Sequence, residues 1–413
     1  MMLTRDDCAA LDSQDALAAC RDEFQLPDGV IYLDGNSLGA LPKRSVDVLS
    51  RTVEDEWGNG LIRSWGAADW FTLPERLGDR VGRLIGAAPG QTIVCDGTSI
   101  NIYKALRAAM ALRPDRKVIV SEKGSFPTDL YVCEGAMTSQ EGASRRLLGV
   151  DSDSLEDLID EQVSVVLLSN VDYRTGKLLD MEKITKLAHD AGALIIWDLC
   201  HSAGVVPMEL DAIKADFAVG CTYKYLNGGP GSPAYIYVAE RHHDAAHQPL
   251  SGWWGHADPF AFNHEFVPTK GIKRFLVGTQ SALALRGVDA ALEFFDRVDL
   301  RAIRGKSQSL CDTFIELVEQ HPVLRGLEVV SPRDPDERGS QVSLYFENGY
   351  PVVKAMIEQG VIGDFREPGI MRFGLAPYYL RYVDLFDAVE VMADCFERKV
   401  WTEKKYSERE TVT

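Results

Sequence analysis

Between residues 92 and 238, short runs of β-branched and apolar residues alternate with longer stretches in which apolar residues return every three or four positions. That alternation constrains the fold more than any other feature of the chain. The runs at 92–95, 117–121, 145–149, 163–169, 193–198, 217–222 and 234–238 predict strands. Stretches 100–112, 154–160 and 181–191 predict intervening helices, the last closed by Gly192 as a C-cap. Strands separated by helices imply an α/β fold with a mostly parallel sheet flanked by helices, and such sheets take ligands at the carboxyl ends of their strands.

From about residue 283 the pattern changes to long helices, 283–298 and 300–320, followed by hairpin-like strands at 327–331 and 341–346. This predicts a smaller α+β C-terminal domain. The expected division is an N-terminal arm, 1–45, against the small domain or a partner subunit, then a large domain, 46–282, and a small domain, 283–413. Segment 331–339 reads as a surface loop and the charged tail 403–413 as frayed. A length of 413 residues suits two such units.

A formal net charge of -18 opposes binding to nucleic acid, which depends on Lys and Arg neutralising phosphates, yet leaves room for small anions in local positive clefts. Eight cysteines without a C-x-x-C pair read as reduced thiols. With no signal-peptide pattern and no run of membrane-spanning length, the expected location is the cytoplasm, away from membranes. His242, His243 and His247 lack accompanying ligands and read as surface histidines, so no metal site is expected.

The chemistry concentrates on Lys224, between Tyr223 and Tyr225 and ahead of a glycine-rich turn, and on Asp198, 26 positions earlier at the end of an apolar run. A lysine amine can form a Schiff base with an aldehyde, and a carboxylate can keep a pyridine nitrogen protonated, which together suit pyridoxal 5'-phosphate. The plainer readings are a helix-capping Asp198 and an edge-strand Lys224. His201 could stack on a planar ring, and Tyr223 could reach a phosphate or act as a general acid.

Thr98 and Ser99 open a helix after a strand, where free amides favour an anion; the alternative is an ordinary N-cap by Thr98. Phe126 and Asp129 follow another strand and could meet the ring and its oxygen, or Pro127 could simply start a helix. Arg372, a strand arginine amid apolar residues, needs a carboxylate, either a substrate's or a structural acid's. Tryptophans 57, 65, 70, 197, 253 and 254 with Phe71 either line an aromatic-substrate pocket or pack.

Beyond the Lys224 loop, the chain carries Tyr-Leu-Asp-Gly-Asn-Ser-Leu-Gly (32–39), Trp-Gly-Asn-Gly-Leu-Ile-Arg-Ser-Trp (57–65) and Phe-Pro-Thr-Asp-Leu-Tyr (126–131). It continues with Ser-Gly-Trp-Trp-Gly-His (251–256), Arg-Gly-Ser-Gln-Val-Ser (338–343) and Arg-Glu-Pro-Gly-Ile-Met-Arg-Phe-Gly (366–374). In this order, over nearly the whole chain, the motifs resemble the kynureninase family and its bacterial members in particular. The resemblance implies a fold type I pyridoxal-phosphate enzyme of the aminotransferase superfamily, a homodimer with sites at the subunit interface. It implies hydrolysis of L-kynurenine, or its 3-hydroxy form, to anthranilate or 3-hydroxyanthranilate and L-alanine, in tryptophan catabolism and NAD biosynthesis.

Carried onto this sequence, the family pattern makes Lys224 the cofactor lysine, Asp198 the partner of the ring nitrogen and His201 a cofactor neighbour. Thr98, Ser99 and Tyr223 become phosphate and cofactor contacts, with Tyr223 assisting proton transfer. Phe126, Pro127, Thr128 and Asp129 surround the ring, Ser169 lies near it, and Trp253 and Thr279 reach the phosphate from the other subunit. Arg372 clamps the substrate carboxylate, and Trp65 with Thr279 would distinguish the ring hydroxyl. The rivals are an aminotransferase, a cysteine desulfurase-like lyase, which needs a mobile cysteine between Cys311 and Cys395 where the chain has none, and a pyridoxal-phosphate-binding regulatory protein.

Overall fold

The computed structural model describes residues 2–409. Among them, seven strands form the central sheet: β1 (Thr92–Val94), β2 (Val118–Glu122), β3 (Ser144–Leu148), β4 (Val163–Ser169), β5 (Leu194–Asp198), β6 (Phe217–Gly220) and β7 (Tyr235–Val238). Their spatial order is β1-β7-β6-β5-β4-β2-β3. Pairing is parallel from β6 through β3, and β7 alone runs antiparallel to both neighbours. The mostly parallel α/β sheet expected from the alternation is present, with strand ends displaced by one or two residues.

Each strand splits its side chains between two faces, as a pleat of period two requires. Val165 and Leu167 of β4 pack with Ile102 and Leu106 of helix α1 (Thr98–Ala111), while Val166 and Leu168 join the opposite core with Trp197. That second core runs on through Phe314, Phe373 and Met392 into the C-terminal part. Helices α2 (Pro127–Met137) and α3 (Met181–Asp190) complete the crossovers, and Gly192 after α3 takes the left-handed φ of +77°. The helix expected at 154–160 shrinks to one turn, Leu155–Leu158. Asp157 instead bonds Ser152, and Asp160 the Gln162 amide, so side chains compete with further helix.

The C-terminal part begins with α4 (Ala282–Phe295) and α5 (Leu300–Gln320) and builds a second, antiparallel sheet. Its strands β8 (Glu328–Val329), β9 (Gln341–Tyr345), β10 (Asp364–Arg366) and β11 (Ile370–Gly374) lie in the order β8-β9-β11-β10. Helix α6 (Tyr382–Glu397) packs beside α5. The N-terminal residues join this region: Ile31–Tyr32 pairs in parallel with Val361–Ile362, and Asp34 bridges Gly374.

Two expectations change. The tail is docked as far as Arg409, whose guanidinium lies 4.3 Å from the Tyr350 ring, because Tyr406 finds a buried seat; residues 410–413 lie outside the described residues. His242 and His243 are not surface histidines. His242 Nε2 lies 2.7 Å from the buried Asp216, which also meets His189 and Arg241, and His243 Nε2 lies 2.8 Å from the Val238 carbonyl.

Helix α6 carries its cap from far away in sequence. The Asp12 carboxylate accepts the Tyr382 amide at 2.7 Å and the Val383 amide at 3.0 Å, satisfying two orphan donors at the positive end of the helix. Asp12→Ala should therefore cost about 1 kcal/mol of stability in denaturant titration. Removing the exposed Arg5–Asp387 pair on the same arm should leave the midpoint unchanged.

Candidate active site

The like-directed strands end along one edge, and five of them, β1, β2, β4, β5 and β6, deliver the candidate residues there. Asp198 closes β5, in register opposite Ser169 of β4 and Val219 of β6. Its carboxylate accepts the Cys200 amide at 2.7 Å, and turns rather than a helix follow, so the helix-cap reading fails. Lys224 stands past the end of β6 in a loop that folds back on itself: the Asn227 amide donates to Lys224 O at 2.9 Å and the Gly228 amide to Thr222 O at 2.8 Å. Asn227 at φ +56° and Gly229 at φ +98° make that reversal. Lys224 is thus no edge-strand charge. Its Nζ lies 2.8 Å from His201 Nε2.

These residues line a cavity of about 320 Å³. The structure brings together there Thr98, Ser99, Phe126, Thr128, Asp129, Ser169, Asp198, His201, Tyr223, Lys224 and Arg372. Pro127 occupies the first turn of α2 and does not line the cavity. Trp65, Trp253 and Thr279 also lie elsewhere. Trp65 packs edge-on against Trp70 and Trp254, Trp254 is buried, and Trp253 is 43% exposed. Phe71 and Phe260 extend the same aromatic cluster, whereas Trp197 is sheet core and Trp57 is exposed.

Helix α1 opens toward the cavity without a side-chain cap: Gly97 is the N-cap residue, so the Thr98 capping alternative fails and the first-turn amides stay available. The preceding Asp96, at φ +50°, is anchored by the fully buried Lys104, whose Nζ donates to Asp96 at 2.7 Å and to Phe275 O at 2.8 Å. The loop ahead of α1 is thereby held by an ion pair whose lysine is fully buried.

Burial and neighbouring charge sort the protons. His201 is held well below its ordinary pKa, by burial first and the nearby Lys224 cation second, and is neutral. With Lys224 donating to Nε2, the ring proton sits on Nδ1, which is buried and has no partner. Asp129 is raised well above the carboxylate range by burial and by Asp198, so it keeps a proton while sharing a hydrogen bond with Asp198. Burial likewise raises the Tyr223 phenol, with Cys221 and Cys200 adding to the shift.

Arg372 finds its acid within the chain. Its Nε donates to Asp364 Oδ1 at 2.6 Å, Nη2 bonds Asp364 Oδ2 and the Ser37 hydroxyl, and Nη1 reaches Tyr173 O at 2.5 Å. Of its two expected partners, the structural acid is present. Arg366, which the sequence reading passed over, also lines the cavity; its Nη2 lies 2.9 Å from Asp364 and its side chain is 34% exposed. Asn36, Ser37 and Tyr173 were missed as well. Asn36, Ser37 and Arg366 fall inside the 32–39 and 366–374 motifs, so those motifs carried the signal; Tyr173, in the turn after β4, has none.

The residues fit pyridoxal phosphate: a buried carboxylate and a lysine at one sheet edge, an uncapped helix start with two hydroxyls for a phosphate, and in the same cavity a His201 whose Nδ1 is unpartnered.

Comparison with known proteins extends the match over the whole chain. Residues 303–392 match the kynureninase C-terminal domain and residues 73–227 the aminotransferase class I and II family. The chain is 49% identical over 418 residues to a kynureninase of Pseudomonas fluorescens, and 48% over 416 residues to one of Burkholderia pseudomallei, each covering 100% of both proteins. Among solved structures, a cysteine desulfurase from Thermococcus onnurineus has a TM-score of 0.76 at 20% identity, covering 92% of this chain and 97% of that one. A C-DES mutant with glycine covalently linked to the PLP cofactor has a TM-score of 0.78 at 16% identity, covering 91% and 99%. These two share the fold. Identity near one half along the full length, together with the matched C-terminal domain, goes further: the chain belongs to the kynureninase family.

Proposed function

We propose that the chain hydrolyses L-kynurenine to anthranilate and L-alanine with pyridoxal 5'-phosphate, as a cytoplasmic homodimer serving tryptophan catabolism and NAD biosynthesis. The observation that carries this reading is Lys224 meeting His201 at 2.8 Å beside the buried Asp198, in a chain of this family. Bound in the cavity, the cofactor supplies an electron sink for breaking a carbon–carbon bond. Asp198 accepts the hydrogen bond of the ring nitrogen and so keeps its proton. Thr98, Ser99 and Tyr223 hold the phosphate at the start of α1. Phe126, Thr128, Asp129 and Ser169 enclose the ring, with Pro127 starting the helix behind them, the protonated Asp129 being able to donate to its oxygen.

Lys224, freed as the neutral amine when the substrate amine takes its place, would take the proton from the substrate α-carbon and return one there before alanine leaves, while water adds to the γ-carbonyl as the bond between the β- and γ-carbons breaks. His201, being neutral, accepts from the lysine without adding a second positive charge. Tyr223, kept protonated by burial, supplies the proton that completes alanine. Arg372 and Arg366 receive the α-carboxylate. The exposed Trp253 and Thr279 suit a dimer in which each subunit completes its partner's phosphate site, with Trp65 and Thr279 near the substrate ring to distinguish a 3-hydroxyl. The chain divides functionally into arm 1–45, cofactor domain 46–282 and small domain 283–413.

Kynurenine added to the holoenzyme should yield fluorescent anthranilate and equimolar alanine without any keto acid; a keto-acid requirement would instead indicate an aminotransferase. Lys224→Ala should abolish turnover, and Asp198→Asn should lower kcat at least about a hundredfold. Mixing the Lys224→Ala protein with a Trp253→Ala variant should recover activity through hybrid dimers, which independent subunits would not do. In the apoprotein, Asp129 has a folded pKa above its unfolded one, so the stability tied to its proton is complete in acid and lost as pH rises through the folded value. Scanning calorimetry should find Asp129→Asn free of that loss.

A further inference from the structure

Behind the cavity end that holds Arg366 and Arg372 lie two acids, Asp364 and Asp34, and they are engaged unequally. Asp364 is fully engaged: Arg372 takes both oxygens, Ser37 donates at 2.8 Å and Arg366 lies at 2.9 Å. Asp34 stands behind this cluster where the N-terminal segment bridges Gly374. Its Oδ1 is buried and has no hydrogen-bond partner. Its charged neighbours are Asp364 and Arg366 of β10 and Arg372 of β11; Tyr32 of its own segment and Tyr379 are the remaining titratable groups facing it.

With Asp34 ionised, two guanidiniums face two carboxylates and the cluster is neutral. With Asp34 protonated, the cluster presents one net positive charge toward the cavity. Burial first, then repulsion by Asp364, pushes the Asp34 carboxyl up to about 7, against the pull of Ser37, Arg372 and Arg366.

We propose that Asp34 is a positioning residue of the carboxylate subsite, its own charge setting how much positive charge Arg366 and Arg372 offer to an incoming α-carboxylate. The inference rests on the amino-acid substrate proposed above. Its sign follows directly: raising the pH ionises Asp34, cancels the surplus charge and weakens carboxylate binding.

The test measures KM and kcat of the holoenzyme for L-kynurenine from about pH 6 to about pH 8.5, for wild type, Asp34→Asn and Asp34→Glu. The wild-type KM should rise about three- to tenfold more than that of Asp34→Asn, the difference falling on KM rather than kcat, and Asp34→Glu should restore the rise. Matching KM profiles for wild type and Asp34→Asn, or a difference confined to kcat, overturn the proposal. Asp34→Ser serves as a second uncharged variant should the amide fail to fold. Binding of L-alanine, followed by cofactor absorbance, gives the same comparison without turnover. Alanine binding that depends on Asp34 in a protein releasing no anthranilate would sink the kynurenine reading and sustain this one.

Discussion

The register of one strand governs the site. Leu194–Asp198 lies in parallel between Val163–Ser169 and Phe217–Gly220, with Asp198 opposite both Ser169 and Val219. All five of its residues are buried, so a slip by one position would exchange Trp197 with Ile196 between two filled cores and withdraw the carboxylate from the edge. The same direction, shared by the neighbouring strands, brings the Lys224 loop, the α1 start and Phe126 to one end of the sheet. Packing of apolar residues with no chemistry of their own thus decides which polar groups meet.

Once gathered, those groups set one another's protons. Two carboxylates, Asp129 and Asp198, share a buried space that cannot hold both charges, and Asp129 takes the proton. Lys224 meets His201 at 2.8 Å, and burial keeps that imidazole neutral. The result is a protonated Asp129 and a neutral His201, set before any ligand arrives, which limits the reorganisation that binding must cost.

Much of this was legible in residues 92–238, because parallel strands buried on both faces leave long apolar runs and end in a few polar residues. Asp198 and Lys224 could be read for the same reason. Arg372 was only half legible: a buried arginine announces a need for an acid, but not that Asp364, eight positions earlier on the adjacent antiparallel strand, would meet it. Arg366 and Asp34 were hidden further, since their importance lies in charges that pairing of distant segments brings together. The histidines at 242 and 243 misled because local polarity masked the tertiary partners Asp216 and the Val238 carbonyl.

The N-terminal segment explains why the second sheet reaches the cavity. Ile31–Tyr32 adds to Val361–Ile362, Asp34 bridges Gly374, and Ser37 then bonds both Asp364 and Arg372. Two residues on, the Gly39 amide donates to Tyr223 O at 2.8 Å. A side chain at Gly39 would meet Lys224 O at 2.3 Å and Asn227 Oδ1 at 2.4 Å, so only glycine permits this approach. Nine residues therefore connect the second sheet to the lysine loop, by backbone pairing at both ends and the Ser37 hydroxyl between them. A displacement of the C-terminal sheet would therefore reach, through Ser37 and Gly39, both the Arg366–Arg372 pair and the Lys224 loop at the two ends of the cavity.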